Sequence, residues 1–249
     1  VNPHGQARAV GYMPPLLQKV LPYKIVQFDV DKEIPARNAD GFCQMVKPGE
    51  VGEAIGEIRQ GDPVTEFRGY TSEKATQKKI IRDVFKKGDA YFLTGDLLRM
   101  DENGYCYFVD RIGDTFRWKG ENVATTEVSE IINTIPGVEE SIVYGVTIPG
   151  HDGRAGMASL IINNQFEFEA LASTMEKELP HYARPLFLRI LPEPDLTGTF
   201  KHQKSRLKEE GFAIDLGDDI YIHSTKEKKY IRLTQETFDI VQAGKNTRL

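Results

Sequence analysis

The stretch from Tyr91 to Glu130, YFLTGDLLRMDENGYCYFVDRIGDTFRWKGENVATTEVSE, constrains this chain more than any other. It sets a Thr-Gly-Asp turn, an Asp-Arg pair and a Gly-flanked basic aromatic segment on successive strands and turns, and a helix start follows at once. Before it, Gly, Pro and short apolar runs read as strands and turns. After it, strands alternate with amphipathic helices, the pattern of a small α+β domain. A change of period marks a boundary, placed near Arg111 to Asp114. The expected division is residues 1–111 and 112–249, and 249 residues suffice for two modest cores.

In the first part, Tyr23–Val30 and Glu53–Arg59 read as strands. Ile80, Ile81, Val84 and Phe85 repeat at helical spacing, so a helix is expected from a cap at Thr71 or Ser72 to Gly88. Leu97–Met100 and Tyr105–Arg111 read as a hairpin around an Asn-Gly turn. In the second part, Thr125 or Thr126 is expected to cap a helix carrying Val128, Ile131, Ile132 and Ile135, ended by Pro136-Gly137. Strands follow at Ser141–Ile148 and Met157–Ile162. A helix then carries Phe168, Leu171, Met175 and Leu179. A strand at Phe187–Leu191 and a short helix from about His202 to Glu210 complete the reading.

Composition sets limits. Hydrophobic content of 40% and charged content of 28% are ordinary for a globular protein. A net charge of -5 argues against nucleic acid as a partner, which needs a basic field. Cys43 and Cys106 lack metal or redox spacing and read as buried thiols. The histidines are scattered, and there is no P-loop, no dinucleotide-binding glycine fingerprint and no HExxH, so no metal site is read. No apolar run approaches the ~18 residues of a membrane span. The chain opens at Val1 without Met and reads as the middle of a longer protein.

Four groups of residues carry candidate chemistry. A carboxylate accepts two hydrogen bonds at once, so Asp96, after Thr94 and Gly95, suits a ribose diol; the plainer reading is an Asp that caps its own turn. Asp110-Arg111 offers a permanently charged fork to hydroxyl or phosphate oxygens, or else a surface ion pair. Gly113 just after it is a turn glycine or a hinge. Phe116 and Trp118 alternate with Arg117 and Lys119 on opposite faces. They form either a half-buried strand or, with Gly120, the lining of a channel for a long phosphate-bearing ligand. Lys201, after a Gly/Thr loop, is an idle surface lysine or an ammonium delivered to a phosphoryl centre.

Taken in order, these motifs resemble the adenylate-forming superfamily of acyl-CoA synthetases, peptide-synthetase adenylation domains and luciferases. The resemblance rests on GEIRQGDPVTEFRGYTSEKAT (Gly56–Thr76), YFLTGDL (Tyr91–Leu97), DRIGDTFRWKGENVATTEVSEII (Asp110–Ile132), LPHYARP (Leu179–Pro185) and TGTFKHQK (Thr197–Lys204). DGRAGMAS (Asp152–Ser159) and TGTFKH are similar to one branch, the fatty acid transport proteins or very-long-chain acyl-CoA synthetases. The chain departs from many relatives at Gly113 (Asp or Lys there), Lys204 (Arg) and Asn122 (Arg in some).

The resemblance implies an α+β fold: the strand-rich end of a large AMP-binding domain, followed by a small C-terminal lid. It implies a long- or very-long-chain fatty acid–CoA ligase using ATP and CoA as co-substrates. Mg2+ is expected in the full-length enzyme, on ligands upstream of this chain. Thr94, Asp96 and Arg111 would bind AMP or ATP, Asp110 and Gly113 would form the hinge, Trp118, Lys119 and Gly120 would line the CoA channel, and Lys201 would be catalytic. An upstream segment would attach the protein to the endoplasmic reticulum or plasma membrane, facing the cytosol; Thr247-Arg248-Leu249 is a poor match to a peroxisomal tripeptide. The alternative is a non-catalytic fatty acid transport or interaction module that kept the fold.

Overall fold

The computed structural model describes residues 5–14, 16–18, 20–30, 32–59, 77–192 and 200–244, with the side chains of 200–203 and 216 left out. The chain divides into two compact units, Val1–Gly113 and Asp114–Leu249.

The first unit is an antiparallel sheet of seven strands: β1 (Ala9–Tyr12), β2 (Tyr23–Asp29), β3 (Ile34–Pro35), β4 (Val51–Glu57), β5 (Ile80–Arg82), β6 (Ala90–Met100) and β7 (Tyr105–Arg111). Their order is β1-β7-β6-β4-β2-β3, with β5 also paired to β6. Neighbouring residues on a strand point to opposite faces. Ile25 accordingly joins a cluster with Met13, Val46, Met100 and Cys106, while Val26 joins Cys43, Ile55, Val84 and Tyr91 on the other side. Both faces of the sheet are therefore covered at its centre.

The helix expected through Ile80–Phe85 is corrected. Ile80–Arg82 pairs with Ala90–Phe92 as β5. Beyond it the Asp89 carboxylate accepts the N–H groups of Val84, Phe85 and Lys86. The Arg37 guanidinium meanwhile binds the carbonyls of Arg82 and Asp83. The nearby Asp89 and the distant Arg37 thus satisfy the backbone groups a helix would have used, overriding the local period. The expected cap at Thr71 or Ser72 lies outside the described residues.

The second unit opens with a separate hairpin, β8 (Phe116–Trp118) and β9 (Glu121–Val123), followed by α1 (Thr125–Ile132). Its main sheet contains β10 (Val138–Val146), β11 (Ala155–Ile162), β12 (Phe187–Leu191), β13 (Asp219–Ser224) and β14 (Lys229–Arg232), in that order. Only β11 and β12 run parallel. Helices α2 (Phe168–Glu178), α3 (Phe200–Glu210) and α4 (Gln235–Gln242) complete the unit. β11 is buried at nearly every position, so both its faces are covered.

The apolar stripe of α1 is as expected, with Val128 and Ile132 buried, but no threonine caps it. Ala124 stands at the cap position and the Thr125 hydroxyl is engaged elsewhere, by the Lys204 ammonium. Sequence reading also missed β13, β14 and α4. A short hairpin is marginal alone, and this one is held by pairing β13 to β12 and by burying Ile220, Ile222 and Tyr230.

Arg189 on β12 is nearly inaccessible and pairs with Glu210 of α3 at 2.7 Å and Asp218 at 2.6 Å. Removing one partner from such a group leaves charge uncompensated. Arg189→Ala is expected to destabilise this unit by about 3 kcal/mol, measured by urea unfolding followed through the fluorescence of Trp118, the single tryptophan. A loss below about 1 kcal/mol would mean that both acids rehydrate without cost.

Candidate functional site

Thr94-Gly95-Asp96 is not a turn between strands, as the sequence had led us to expect, but a bulge in the middle of β6. Ile55 pairs with Leu93 and Glu53 with Leu97, so Thr94, Gly95 and Asp96 all lie opposite Ala54. Extra residues in one strand bend it and re-aim a side chain. Gly95 makes the bend with φ 81°, and a Cβ there would lie 3.0 Å from the Lys79 ammonium. The positive φ is what calls for glycine here, since the Lys79 ammonium is the movable end of a flexible side chain.

The bulge is tied down on every side. The Thr94 hydroxyl donates to the Ala54 carbonyl at 2.7 Å and accepts the Asp96 N–H at 3.1 Å. The Gly95 N–H donates to Glu53 Oε1 at 3.3 Å, and the Gly95 carbonyl accepts the Ile112 N–H at 2.9 Å. The turn-capping role weighed for Asp96 is therefore carried by Thr94. The Asp96 carboxylate remains partly exposed, 3.6 Å from Arg111 Nε across the strand pair. With the two side chains 40% and 67% exposed, this ion pair contributes little to stability. Its arrangement presents a carboxylate and a guanidinium side by side to solvent.

Asp110, next to Arg111, is buried and accepts the Arg111 N–H at 2.9 Å. Gly113, at φ 86° with open space where a Cβ would stand, ends the first unit. Asp110 thus fixes the strand end, and Gly113 holds a backbone conformation that residues with a Cβ rarely adopt.

In the second unit, Lys119 (φ 53°) and Gly120 (φ 85°) form the two-residue turn of the β8–β9 hairpin. Positive φ at both positions matches the right-handed twist of the flanking strands. Phe116 and Trp118 are buried while Arg117 is exposed, as the alternation implied. The Trp118 indole belongs to the core, and the Lys119 ammonium sits 5.9 Å from its centroid. Beside them is a cavity of about 200 Å³ whose lining includes His181, Arg184, His223 and Lys228. Burial pushes the Lys119 ammonium and both imidazoles below their usual values; the imidazoles are lowered further by neighbouring cations, Lys119 and Arg184 acting on His181, and His181 and Arg184 on His223. Two of its five basic residues, His223 and Lys228, come from the β13–β14 hairpin, which sequence reading did not find.

Lys201 lies in the first turn of α3, and its side chain is outside the described residues, as are Thr197–Thr199. Among the described residues no group of three or more His, Cys, Asp or Glu is placed to hold a metal ion. No helix among them is long and apolar enough to cross a membrane.

Glu53 was not singled out in the sequence. It is 2% exposed, and burial pushes its carboxyl up to about 7 against the pull of the Gly95 N–H and Lys79, with Asp96 adding to the rise. The folded state thus holds a proton that the unfolded carboxyl releases near about 4.3. Stability linked to Glu53 is full below that value and is lost as pH rises through about 7. Parent protein is expected to lose on the order of 2–3 kcal/mol more than Glu53→Gln between about pH 5 and pH 8.5. Urea unfolding by circular dichroism checks this; identical pH dependence of the two proteins would count against it.

Known proteins share this architecture. Residues 127–201 match the AMP-binding enzyme C-terminal domain. The chain is 47% identical over 237 residues to long-chain fatty acid transport protein 2 of Rattus norvegicus, covering 94% of this chain and 38% of that protein. It is 43% identical over 245 residues to long-chain fatty acid transport protein 1 of Mus musculus, covering 98% and 38%. Among solved structures it resembles the o-succinylbenzoate CoA synthetase of Bacillus subtilis in complex with the acyl-adenylate intermediate OSB-AMP. That match has a TM-score of 0.52 and 24% identity, covering 69% of this chain and 31% of that one. The chain spans less than two-fifths of the length of these curated relatives.

Proposed function

Because this chain belongs to the adenylate-forming superfamily, with fatty acid transport proteins as its sequence relatives, we propose that it supplies the ribose grip, hinge and lysine-bearing lid of a long- or very-long-chain fatty acid–CoA ligase. In the first step a fatty acid carboxylate attacks the α-phosphorus of ATP, forming acyl-adenylate and releasing pyrophosphate. In the second, the CoA thiolate attacks the acyl carbonyl, giving acyl-CoA and releasing AMP.

The observation that carries this reading is the bulge in β6, which turns Asp96 out beside Arg111 while Thr94 and Glu53 satisfy the bent backbone. A carboxylate so held accepts hydrogen bonds from both hydroxyls of a ribose. Arg111 supplies donors to ribose or phosphate oxygens at any working pH. Lys201 offsets negative charge developing on the phosphoryl group during adenylation. Rotation at Asp110–Gly113 then withdraws Lys201 and brings Trp118, Lys119 and Gly120 to the pantetheine arm of CoA. Mg2+ would neutralise phosphate charge when bound with ATP, and the described residues offer it no binding set. Attachment to an endoplasmic reticulum or plasma membrane would depend on sequence upstream of Val1.

In a full-length protein carrying this chain, Lys201→Ala is expected to lower fatty-acid-dependent pyrophosphate release by about 10²–10³-fold. Thioester formation from supplied acyl-adenylate should fall far less. Asp96→Ala should raise the ATP requirement. Unchanged pyrophosphate release in Lys201→Ala would remove the role given to that lysine, and absence of ATP binding by the parent would favour a non-catalytic transport module.

A further inference from the structure

We propose that Lys204 is a positioning residue, locking α3 one turn beyond Lys201, and Lys201 with it, to the residue directly after the Gly113 hinge. The inference rests on the roles proposed above for Lys201 and Gly113. Lys204 follows Lys201 by one helical turn and is only 8% exposed. Its ammonium donates to the Thr125 hydroxyl at 2.9 Å and lies 3.3 Å from Asp114 Oδ2. Lys208, one turn further along α3, reaches the other oxygen of the same carboxylate at 3.2 Å. Thr125 is itself buried, in the first turn of α1.

Two successive turns of α3 thus hold one carboxylate, and that carboxylate is on the first residue of the second unit. Any rotation of the backbone at Gly113 carries Asp114 with it. Through Asp114 and Thr125 α3 is gripped at Lys204, one turn beyond Lys201, and again at Lys208, so the helix turns with Asp114 as one body. Burying an ammonium costs several kcal/mol unless it is paired, and an apolar residue of similar volume would stabilise a core at least as well. A buried lysine here is better explained by where it holds the helix than by how much it stabilises it. Placement matters because a displacement of about 1 Å at a reacting group can cost about 10²-fold in rate.

The test uses a full-length ligase carrying this chain, with its two steps assayed separately. In Lys204→Met, which keeps the length of the side chain without its charge, pyrophosphate release is expected to fall about 10–100-fold. Thioester formation from supplied acyl-adenylate should stay within about threefold of parent, and Lys204→Arg should restore most of the first step. Asp114→Asn provides a second variant and should show the same split. Equal losses in both steps, or no rescue by Lys204→Arg, would overturn the proposal. So would unfolding of both Lys204→Met and Asp114→Asn, which would reduce Lys204 to a structural ion. If Lys201→Ala abolishes adenylation but Lys204→Met does not, this inference alone fails; if Lys201→Ala leaves adenylation intact, the reading beneath it fails as well.

Discussion

One backbone distortion organises the first unit: the bulge at Thr94-Gly95-Asp96, in a strand otherwise paired on both sides. A central strand normally spends every N–H and C=O on its neighbours. Here Gly95 takes a positive φ, and the groups it frees are recovered by Thr94, Glu53 and Ile112. The sheet keeps its continuity while one carboxylate leaves its plane.

The same economy recurs in the second unit, where buried charges sit at joints between elements. Arg189 connects β12 to α3 and to the residue before β13. Lys204 connects α3 to α1 and to the segment that enters the unit. Polar groups in low dielectric are costly when unpaired and directional when paired. They fix the angle and position of a helix in a way that apolar contact, which is non-directional, does not.

Much of this was legible beforehand. Val128, Ile131 and Ile132 announced α1 through their spacing, and Phe187–Leu191 read directly as a strand, because a strong apolar period leaves few alternatives. Ile80–Phe85 misled for the same reason. Its spacing was helical, but Asp89 a few residues on and Arg37 far upstream took its backbone groups into a different structure. Glu53 carried no sequence signal at all. Glutamate is usually exposed, and only the fold shows this one sealed beneath Gly95. The β13–β14 hairpin, and with it two of the five basic residues lining the cavity, escaped because its strands are short and depend on β12 for pairing, although Ile220 and Ile222 alternate into the core as a strand requires.

By itself the sequence determined that the chain changes character near Arg111, that its chemistry-bearing residues come in the order of adenylate-forming enzymes, and which periodic segments form the second core. Those properties are local or ordered along the chain, so they survive being read one residue at a time. Tertiary structure alone decided that Thr94-Gly95-Asp96 is a bulge, that burial pushes the Glu53 carboxyl up to about 7, and that Lys204 grips Asp114 and Thr125. Each of these depends on a partner tens of residues away and on the exclusion of water around the pair, and neither is written in any one segment of the sequence.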